Sequence, residues 1–194
     1  MPNQALSLQW YGPYDFIQKE NLFTNSLSQR NGVYLWTIPF ENKYLVYYVG
    51  QTGASFASRS FQHLQNYLNG LYRVYDPDKF AKGEKVLIWG GMWKSDRKEP
   101  KFMSEFLINY SLIAPKILVF IKLFRVFLAP VDGDYRVRER IESAIARSLY
   151  QQPGVIGSFQ DKDVRYKPRK TTEQPFKVAM TFSNIMGLNV ELIV

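Results

Sequence analysis

Two short runs of β-branched, aromatic and aliphatic residues, at positions 33–38 and 44–49, are separated by five residues that begin with a proline. Such runs favour strands, so we predict a β-hairpin with a short loop. After Gly50 and Gly53 the pattern becomes helical, with apolar side chains three or four residues apart: Ala57, Phe61, Leu64, Leu68 and Leu71. The sequence therefore predicts a hairpin followed directly by a helix over about residues 55–69.

Two polar residues on this helix, Arg59 and His63, are four positions apart and therefore lie on one side of it. At about 100° per residue they fall roughly opposite the centre of the apolar stripe, together with Asn66. We therefore expect them to face away from the side of the helix that packs on the core. His63 is the only histidine in the chain. A lone histidine is more often structural, but its pairing with Arg59 favours a role in a site.

The rest of the chain contains elements of both kinds. We predict a strand over residues 85–93, a helix over 101–113, a long strand over 117–128 and a helix over 135–150. The most apolar stretch, 117–129, is too short to cross a bilayer and is predicted to be a buried strand. The fold class is therefore mixed α and β, and a chain of 194 residues fits one domain.

The charge of the chain favours a polyanionic partner such as nucleic acid. Its 25 lysines and arginines against 17 acidic residues give a formal net charge of +8. No cysteine is present, which excludes disulfides and thiolate metal sites. The first four residues lack the basic start and apolar stretch of a signal peptide, so we expect a cytoplasmic protein.

Two tripeptides mark the predicted hairpin strands: Gly32-Val33-Tyr34 and Tyr48-Val49-Gly50. Together with Arg59 and His63 on the following helix, they resemble the motifs of the GIY-YIG nuclease family, with Val in place of each Ile. The tripeptides alone are a weak signal, and the added Arg-x-x-x-His helix makes the match more specific. The resemblance covers about residues 31–154.

The family's next landmark is a glutamate on a later helix, and Glu142 matches it best, with Glu139 as the competitor. Two spacings depart from the usual pattern. Thirteen residues separate Tyr34 from Tyr48, and 78 residues lie between His63 and Glu142. The second gap implies an inserted element.

The resemblance implies an α+β fold in which helices flank a small antiparallel β-sheet and the motif residues gather on one concave face. It divides the chain into an N-terminal arm, a core with an insertion at about 72–115, and a basic C-terminal extension packed on the core: 1–30, 31–154 and 155–194. Many family members have an asparagine shortly after the glutamate helix. Gln151 or Gln152 is the candidate substitute here.

The resemblance also implies a metal-dependent DNA endonuclease of the restriction type. Glu142 is expected to bind Mg²⁺, which Mn²⁺ could replace. Arg59 is expected to stabilise charge on the phosphate in the transition state. His63 and one of the two tyrosines, Tyr34 or Tyr48, are expected to handle protons.

Each of these residues also has a simpler explanation. Tyrosines in strands usually pack in the core, and alternation along the strand should place only one of the neighbours Tyr47 and Tyr48 on the site face. Glu142 lies four residues after Arg138 and could form an ordinary surface ion pair with it. Glycines at strand ends and turns need not touch a substrate.

A basic segment near the C-terminus, 161–170, could lie along a DNA backbone or equally be a solvated loop. Its cationic residues are Lys162, Arg165, Lys167, Arg169 and Lys170. Double-stranded DNA is the expected partner, and a symmetric homodimer is expected if both strands are cut. Two other functions stay open: a non-catalytic nucleic-acid-binding module of the same fold, and a structural or partner-binding protein with chance motif matches.

Overall fold

The computed structural model describes residues 5–93 and 99–194. Residues 1–4 of the predicted arm and 94–98 of the predicted insertion lie outside the described residues. The fold is α+β, with mainly antiparallel sheets flanked by helices, as the sequence predicts.

Four antiparallel strands form the central sheet, in the order β2-β7-β3-β4. Their bounds are β2 (Tyr11–Tyr14), β3 (Gly32–Phe40), β4 (Lys43–Thr52) and β7 (Arg125–Pro130). The predicted hairpin is confirmed as β3 and β4, joined by a tight turn at Glu41 and Asn42. Both turn residues have positive φ, which matches the twist of a two-residue hairpin turn. The predicted arm contributes β2, an edge strand of this sheet.

Helices cover both faces of the central sheet. Helix α1 (Phe56–Leu68) packs on the face that carries Tyr34 and Trp36. Helix α5 (Tyr135–Tyr150) packs on the opposite face, against Val33 and other aliphatic residues. Both helices were predicted within one residue at each end. The sheet therefore has an aromatic side under α1 and an aliphatic side under α5.

The predictions for the stretch between 101 and 128 are wrong in part. The chain forms two helices, α3 (Pro100–Ile108) and α4 (Tyr110–Leu123), and only its last part forms β7. The buried residues of α4 follow helical spacing: Ile113, Ile117, Phe120 and Ile121. This period is hidden in the sequence because three exposed residues of the helix are also apolar, namely Leu112, Leu118 and Val119.

The segment between α1 and α3 holds a two-stranded sheet. Its strands are β5 (Val74–Tyr75) and β6 (Leu87–Trp89), with the short helix α2 (Pro77–Phe80) between them. The strand predicted over 85–93 is therefore shorter than expected.

A third sheet joins the two ends of the chain, in the order β1-β8-β9. Its strands are β1 (Leu6–Gln9), β8 (Lys177–Thr181) and β9 (Glu191–Ile193), and a further helix, α6 (Gly154–Phe159), follows α5. The pairing of β1 with β8 is parallel. Val178 and Met180 of β8 join the aliphatic core under α5.

Within residues 5–93 and 99–194, no single helix has both the length and the apolar composition needed to cross a bilayer. Helices α3 and α4 reach that length and composition only when taken together, and they are bent by 85° against each other.

Candidate active site

The ring of Tyr34 lies across Gly50 of the neighbouring strand. The two residues face each other in the pairing of β3 with β4, and a Cβ on Gly50 would overlap the ring and hydroxyl of Tyr34. Tyr34 is only 2% exposed, so its ring has little room to move. Gly50 of the second tripeptide is therefore needed because only a residue without a side chain leaves room for the ring of Tyr34 in the first tripeptide.

A β-bulge in β4 places Tyr47 and Tyr48 on the same side of the sheet. Trp36 pairs with Tyr48, whereas Thr37 pairs with Val46, which leaves Tyr47 as the extra residue. Both tyrosines line one pocket. The expectation that only one of them faces the site is wrong, because alternation fails at a bulge.

The buried side of α1 is the side that carries His63. The buried residues of this helix are Phe56, Ser60, His63 and Tyr67. Phe61 and Leu68 from the predicted apolar stripe are 56% and 52% exposed. The expectation that His63 faces away from the core is therefore wrong, because the sheet offers this helix aromatic and hydroxyl groups as well as apolar ones. Arg59 is half-buried, at the edge of the same contact.

Polar contacts connect Arg59, Tyr34, His63 and Tyr72 in a chain. Nε of Arg59 donates to the Tyr34 hydroxyl at 3.3 Å, and that hydroxyl lies 2.8 Å from Nε2 of His63. Nδ1 of His63 lies 3.1 Å from the Tyr72 hydroxyl. A neutral imidazole accepts through one nitrogen and donates through the other. Because the Tyr34 oxygen accepts from Arg59, its own hydrogen can go to Nε2, which leaves Nδ1–H to donate to Tyr72.

Burial and the positive charge of Arg59 lower the pKa of His63 from 6.5 to about 3. The imidazole is therefore neutral at pH 7. Burial, reinforced by Tyr48, raises the pKa of Tyr34 well above its ordinary value. Burial and the charge of Glu142 raise the pKa of Tyr48 to about 12. Both phenols hold their protons at neutral pH.

The two motif tyrosines differ in access. Tyr48 is half-buried and lines the pocket together with Arg59 and His63. Tyr34 is buried beneath them and does not line it. Tyr48 is therefore the one that a substrate in this pocket would meet.

Glu139, the competing carboxylate, is already engaged. Its two oxygens lie 3.2 Å from Nη1 of Arg136 and 2.6 Å from Nζ of Lys167. Burial alone would raise the pKa of Glu139, but the hydrogen bonds from Lys167 and Arg136 outweigh it and hold the pKa below its ordinary value. The Glu139 carboxylate therefore links α5 to Lys167 of the C-terminal basic segment.

Glu142 has a different environment. Burial raises its pKa to about 8, and the backbone amide of Gln51 and the charge of Arg59 offset only part of this effect. The surface ion pair with Arg138 does not form within the described chain, because the buried Arg138 donates instead to the carbonyl of Gly133 at 2.7 Å. The charge of Glu142 acts on Tyr48, although Glu142 itself does not line the pocket.

The side chains present fit a single-carboxylate magnesium site. In the described ranges, no group of three or more His, Cys, Asp or Glu side chains could hold a metal ion. One carboxylate with water and phosphate in the other positions is, however, a common way to bind Mg²⁺. Ionising a buried carboxyl costs free energy that a divalent cation offsets, and Glu142 has this character.

The five basic residues of the segment 161–170 have different partners. Lys167 pairs with Glu139, and Nη1 of Arg169 donates to the carbonyl of Glu173 at 2.8 Å. Nζ of Lys162 lies 5.7 Å from the centre of the Tyr150 ring, and the side chain of Lys170 is exposed. Arg165 lines the same pocket as Tyr48. Of the five, Arg165 is therefore the one that the fold brings to the candidate site.

The two candidate substitutes for the family's asparagine lie elsewhere. Gln151 lines a separate pocket with Arg140 and Arg147. Gln152 does not line the pocket shared by Tyr48 and His63. The structure therefore does not bring either glutamine to the site.

Sequence reasoning missed Tyr72, which contacts His63 from beyond the end of α1. It lies nine residues after His63, outside the helical repeat, and no motif points to it. It also missed Asp161, which the C-terminal segment carries to the pocket wall. The backbone amide of Asp161 donates to the carbonyl of Tyr47 at 2.8 Å, so the bulged strand itself holds this segment in place.

No protein-family model matches the chain, and no curated protein or solved structure matches it either. The function must therefore be inferred from the chemistry of the site.

Proposed function

We propose that this protein is a metal-dependent DNA endonuclease of the GIY-YIG type, with the specificity of a restriction enzyme. The observation that carries the proposal is the chain of contacts from Arg59 through Tyr34 to His63, beside Tyr48. It assembles a fixed cation, phenolic hydroxyls and a neutral imidazole. These groups suit phosphodiester hydrolysis, which needs charge stabilisation and a positioned water.

Arg59 is the phosphate ligand in this proposal. Its Nε is engaged by Tyr34, and its Nη1 donates to Oε1 of Gln62 at 3.0 Å. The guanidinium is thereby fixed in orientation, with Nη2 left to donate to a phosphate oxygen. Charge that develops on that oxygen during displacement is stabilised by a donor that needs no reorganisation.

Tyr48 is the catalytic phenol at the substrate, and Tyr34 and His63 are positioning residues beneath it. The Tyr48 hydroxyl orients the water that attacks phosphorus. The new P–O bond forms as the bond to the leaving sugar oxygen breaks, and the proton that the water loses passes through solvent to that oxygen. The ring of His63 lies edge-on to Tyr48, with centroids 5.4 Å apart, and fixes the position of Tyr34 through Nε2. The low pKa of His63 keeps this ring neutral, so it does not compete with Arg59 for the phosphate.

Glu142 is the residue that would hold Mg²⁺ or Mn²⁺, through one carboxylate oxygen. When bound there, the ion supplies Lewis-acid stabilisation of charge on a phosphate oxygen. Glu142 is preferred to Glu139 because the oxygens of Glu139 are taken by Arg136 and Lys167.

The basic charge of the chain and the pocket-lining Arg165 support a DNA partner. One site cuts one strand, so cleavage of both strands at a recognition sequence calls for a symmetric homodimer.

One observation favours a second candidate, a non-catalytic nucleic-acid-binding module of the same fold. With a pKa of about 8, Glu142 is mostly protonated at pH 7 in the absence of a metal, and a neutral carboxyl is a poor metal ligand. If no divalent ion displaces this proton, the same surface binds DNA without cutting it.

Incubation of supercoiled plasmid with the protein, in Mg²⁺ or Mn²⁺ and with the product ends mapped, separates the two candidates. We expect metal-dependent nicked or linear products, and we expect Arg59→Ala to slow cleavage by about 100-fold or more, the scale for loss of a transition-state donor. Binding without cleavage in either metal would favour the non-catalytic module. Cleavage by Arg59→Ala at the wild-type rate would contradict the role of Arg59.

A further inference from the structure

A pocket of about 450 Å³ opens beside Tyr48 and His63, and much of its wall comes from outside the hairpin and α1. The segment after α1 contributes Tyr72 and Trp93, and the chain after α6 contributes Asp161 and Arg165. Cavities of roughly 300–1,000 Å³ hold small organic ligands. The pocket is therefore large enough for a nucleotide unit, and the motif residues occupy only one side of it.

We propose that this pocket binds a nucleobase with an exocyclic amino group, unstacked from the DNA next to the phosphate at Arg59. The inference rests on the function proposed above and names the part of the substrate that fills the site. A base stacked inside a duplex cannot enter a concave pocket. It must come from a single strand or be turned out of the helix.

An exposed aromatic side chain, Trp93, lines the pocket. Trp93 is 62% exposed, whereas Trp10, Trp36 and Trp89 are 5%, 2% and 3% exposed. Its ring meets Tyr72 in an edge-to-face contact, with centroids 5.7 Å apart, and more than half of the Trp93 side chain stays open to solvent. A base that leaves the helix loses its stacking on neighbouring bases, and stacking on an aromatic side chain replaces that interaction.

The polar group best placed to distinguish one base from another is the carboxylate of Asp161. Its backbone groups are engaged, because the amide donates to Tyr47 and the carbonyl accepts from the Tyr150 hydroxyl at 2.8 Å. Oδ1 accepts from the amide of Asp163 at 3.1 Å, which fixes the orientation of the carboxylate and leaves Oδ2 as an acceptor. Carboxylates accept from the amino groups of adenine, cytosine or guanine, and thymine has no amino group.

Tyr72 connects this pocket to the candidate catalytic residues. Its ring forms part of the wall beside Trp93, and its hydroxyl contacts Nδ1 of His63. A base in contact with the Tyr72 ring is therefore separated from the imidazole of His63 only by the Tyr72 side chain. Its own phosphate can then reach Arg59, which lines the same pocket. Binding of the base would align the phosphate for hydrolysis.

The test uses the full-length protein and the four deoxynucleoside 5′-monophosphates. Quenching of tryptophan fluorescence reports on the two tryptophans that line the pocket, Trp36 and Trp93, because Trp10 and Trp89 do not line it. We expect dAMP, dCMP or dGMP to bind at least about tenfold more tightly than dTMP, the scale of one discriminating hydrogen-bonded contact. Asp161→Ala should remove this preference, and Asp78→Ala, on α2 outside the pocket, should keep it.

Calorimetry extends the test to the stacking residue. Trp93→Leu changes an exposed side chain, so the protein should fold, and we expect affinity for the preferred nucleotide to drop by about tenfold. Circular dichroism checks the fold of each variant. Equal binding of all four nucleotides, or unchanged binding by Trp93→Leu and Asp161→Ala, would overturn the inference.

The failure of this inference and the failure of the proposed function give different results. Plasmid cleavage without any nucleotide binding would overturn the base pocket and leave the nuclease intact. Selective nucleotide binding without cleavage in Mg²⁺ or Mn²⁺ would support the pocket and contradict the nuclease.

Discussion

Glu139 and Glu142 lie three positions apart on α5, yet their carboxylates have opposite electrostatic environments. The cations Arg136 and Lys167 hold the pKa of Glu139 below its ordinary value. Burial raises the pKa of Glu142 to about 8. One helix therefore carries one carboxylate held in its charged form and one carboxyl group that burial keeps mostly protonated at pH 7.

The first prediction concerns the pH dependence of the metal requirement. Below a pH of about 8, the carboxyl of Glu142 must lose a proton before it binds Mg²⁺. We expect the Mg²⁺ concentration that gives half-maximal cleavage to fall by about tenfold for each unit of pH from 6 to 8, and to level off above that. Initial rates measured across a grid of pH and Mg²⁺ concentration would show this. A requirement that does not change with pH would contradict the assignment of Glu142.

The second prediction concerns acid stability. The pKa of His63 is about 3 in the folded protein and near 6.5 when unfolded, so the unfolded chain binds one more proton between these values. The stability from neutral His63 is present above pH 6.5 and is lost as pH falls toward 3. We expect the wild type to lose about 1.4 kcal/mol per pH unit more than His63→Gln over this window.

Urea unfolding of both proteins at several pH values gives this difference directly, because other titrating groups largely cancel. The single histidine also gives one resolved pair of ring ¹⁵N signals. They should show a neutral ring at pH 5, with the hydrogen on Nδ1. A ring that titrates near pH 6.5 in the folded protein would contradict the burial of His63.

The third prediction concerns the packing of the Tyr34 ring against Gly50. In Gly50→Ala the added methyl group would overlap the Tyr34 ring and hydroxyl, so the ring must shift and its contact with His63 is disturbed. We expect a loss of about 1–3 kcal/mol of stability, as for overpacking of a core, together with slower cleavage. Gly53→Ala is the matched control, since its Cβ would lie 3.2 Å from the end of the Arg138 side chain. Equal effects of the two substitutions on cleavage would contradict the role assigned to Gly50.

The fourth prediction concerns phosphate contacts by the basic segment. Arg165 lines the pocket, whereas Lys167 is paired with Glu139. We expect Arg165→Ala to weaken DNA binding at every sequence and to reduce the slope of log affinity against log salt by about one. Lys19→Ala in the N-terminal region, away from the pocket, should leave the slope unchanged. Fluorescence anisotropy with labelled duplex at several salt concentrations gives both slopes.

The parts of the fold that follow a local rule could be predicted from the sequence. Helix α5 has a clear apolar period and an aspartate at its N-cap, whose side chain accepts from the amide of Arg136 at 3.0 Å. The hairpin has β-branched strands around a short loop. Helix α4 could not be predicted, because apolar residues on its exposed side conceal the period and Pro115 lies within it.

For the candidate site too, the residues that follow a local sequence pattern could be predicted and the others could not. The motif spacing picked out Tyr34, Arg59 and His63, which the fold brings into contact. It could not reveal the bulge that turns both Tyr47 and Tyr48 toward the pocket, because a bulge depends on the pairing of two strands rather than on either one. Nor could it reveal Tyr72, whose contact with His63 depends on the path of the chain after α1.

The most direct test of the central claim compares plasmid cleavage by wild type, Glu142→Gln and Glu139→Gln in Mg²⁺. Both substitutions replace a carboxyl group on α5 with an amide of the same size. Our account predicts that Glu142→Gln cuts about 100-fold more slowly or not at all, because its carboxylate would hold the metal. Glu139→Gln should cut at close to the wild-type rate and lose roughly 1 kcal/mol of stability. Wild-type cleavage by Glu142→Gln, or loss of cleavage only in Glu139→Gln, would contradict the account.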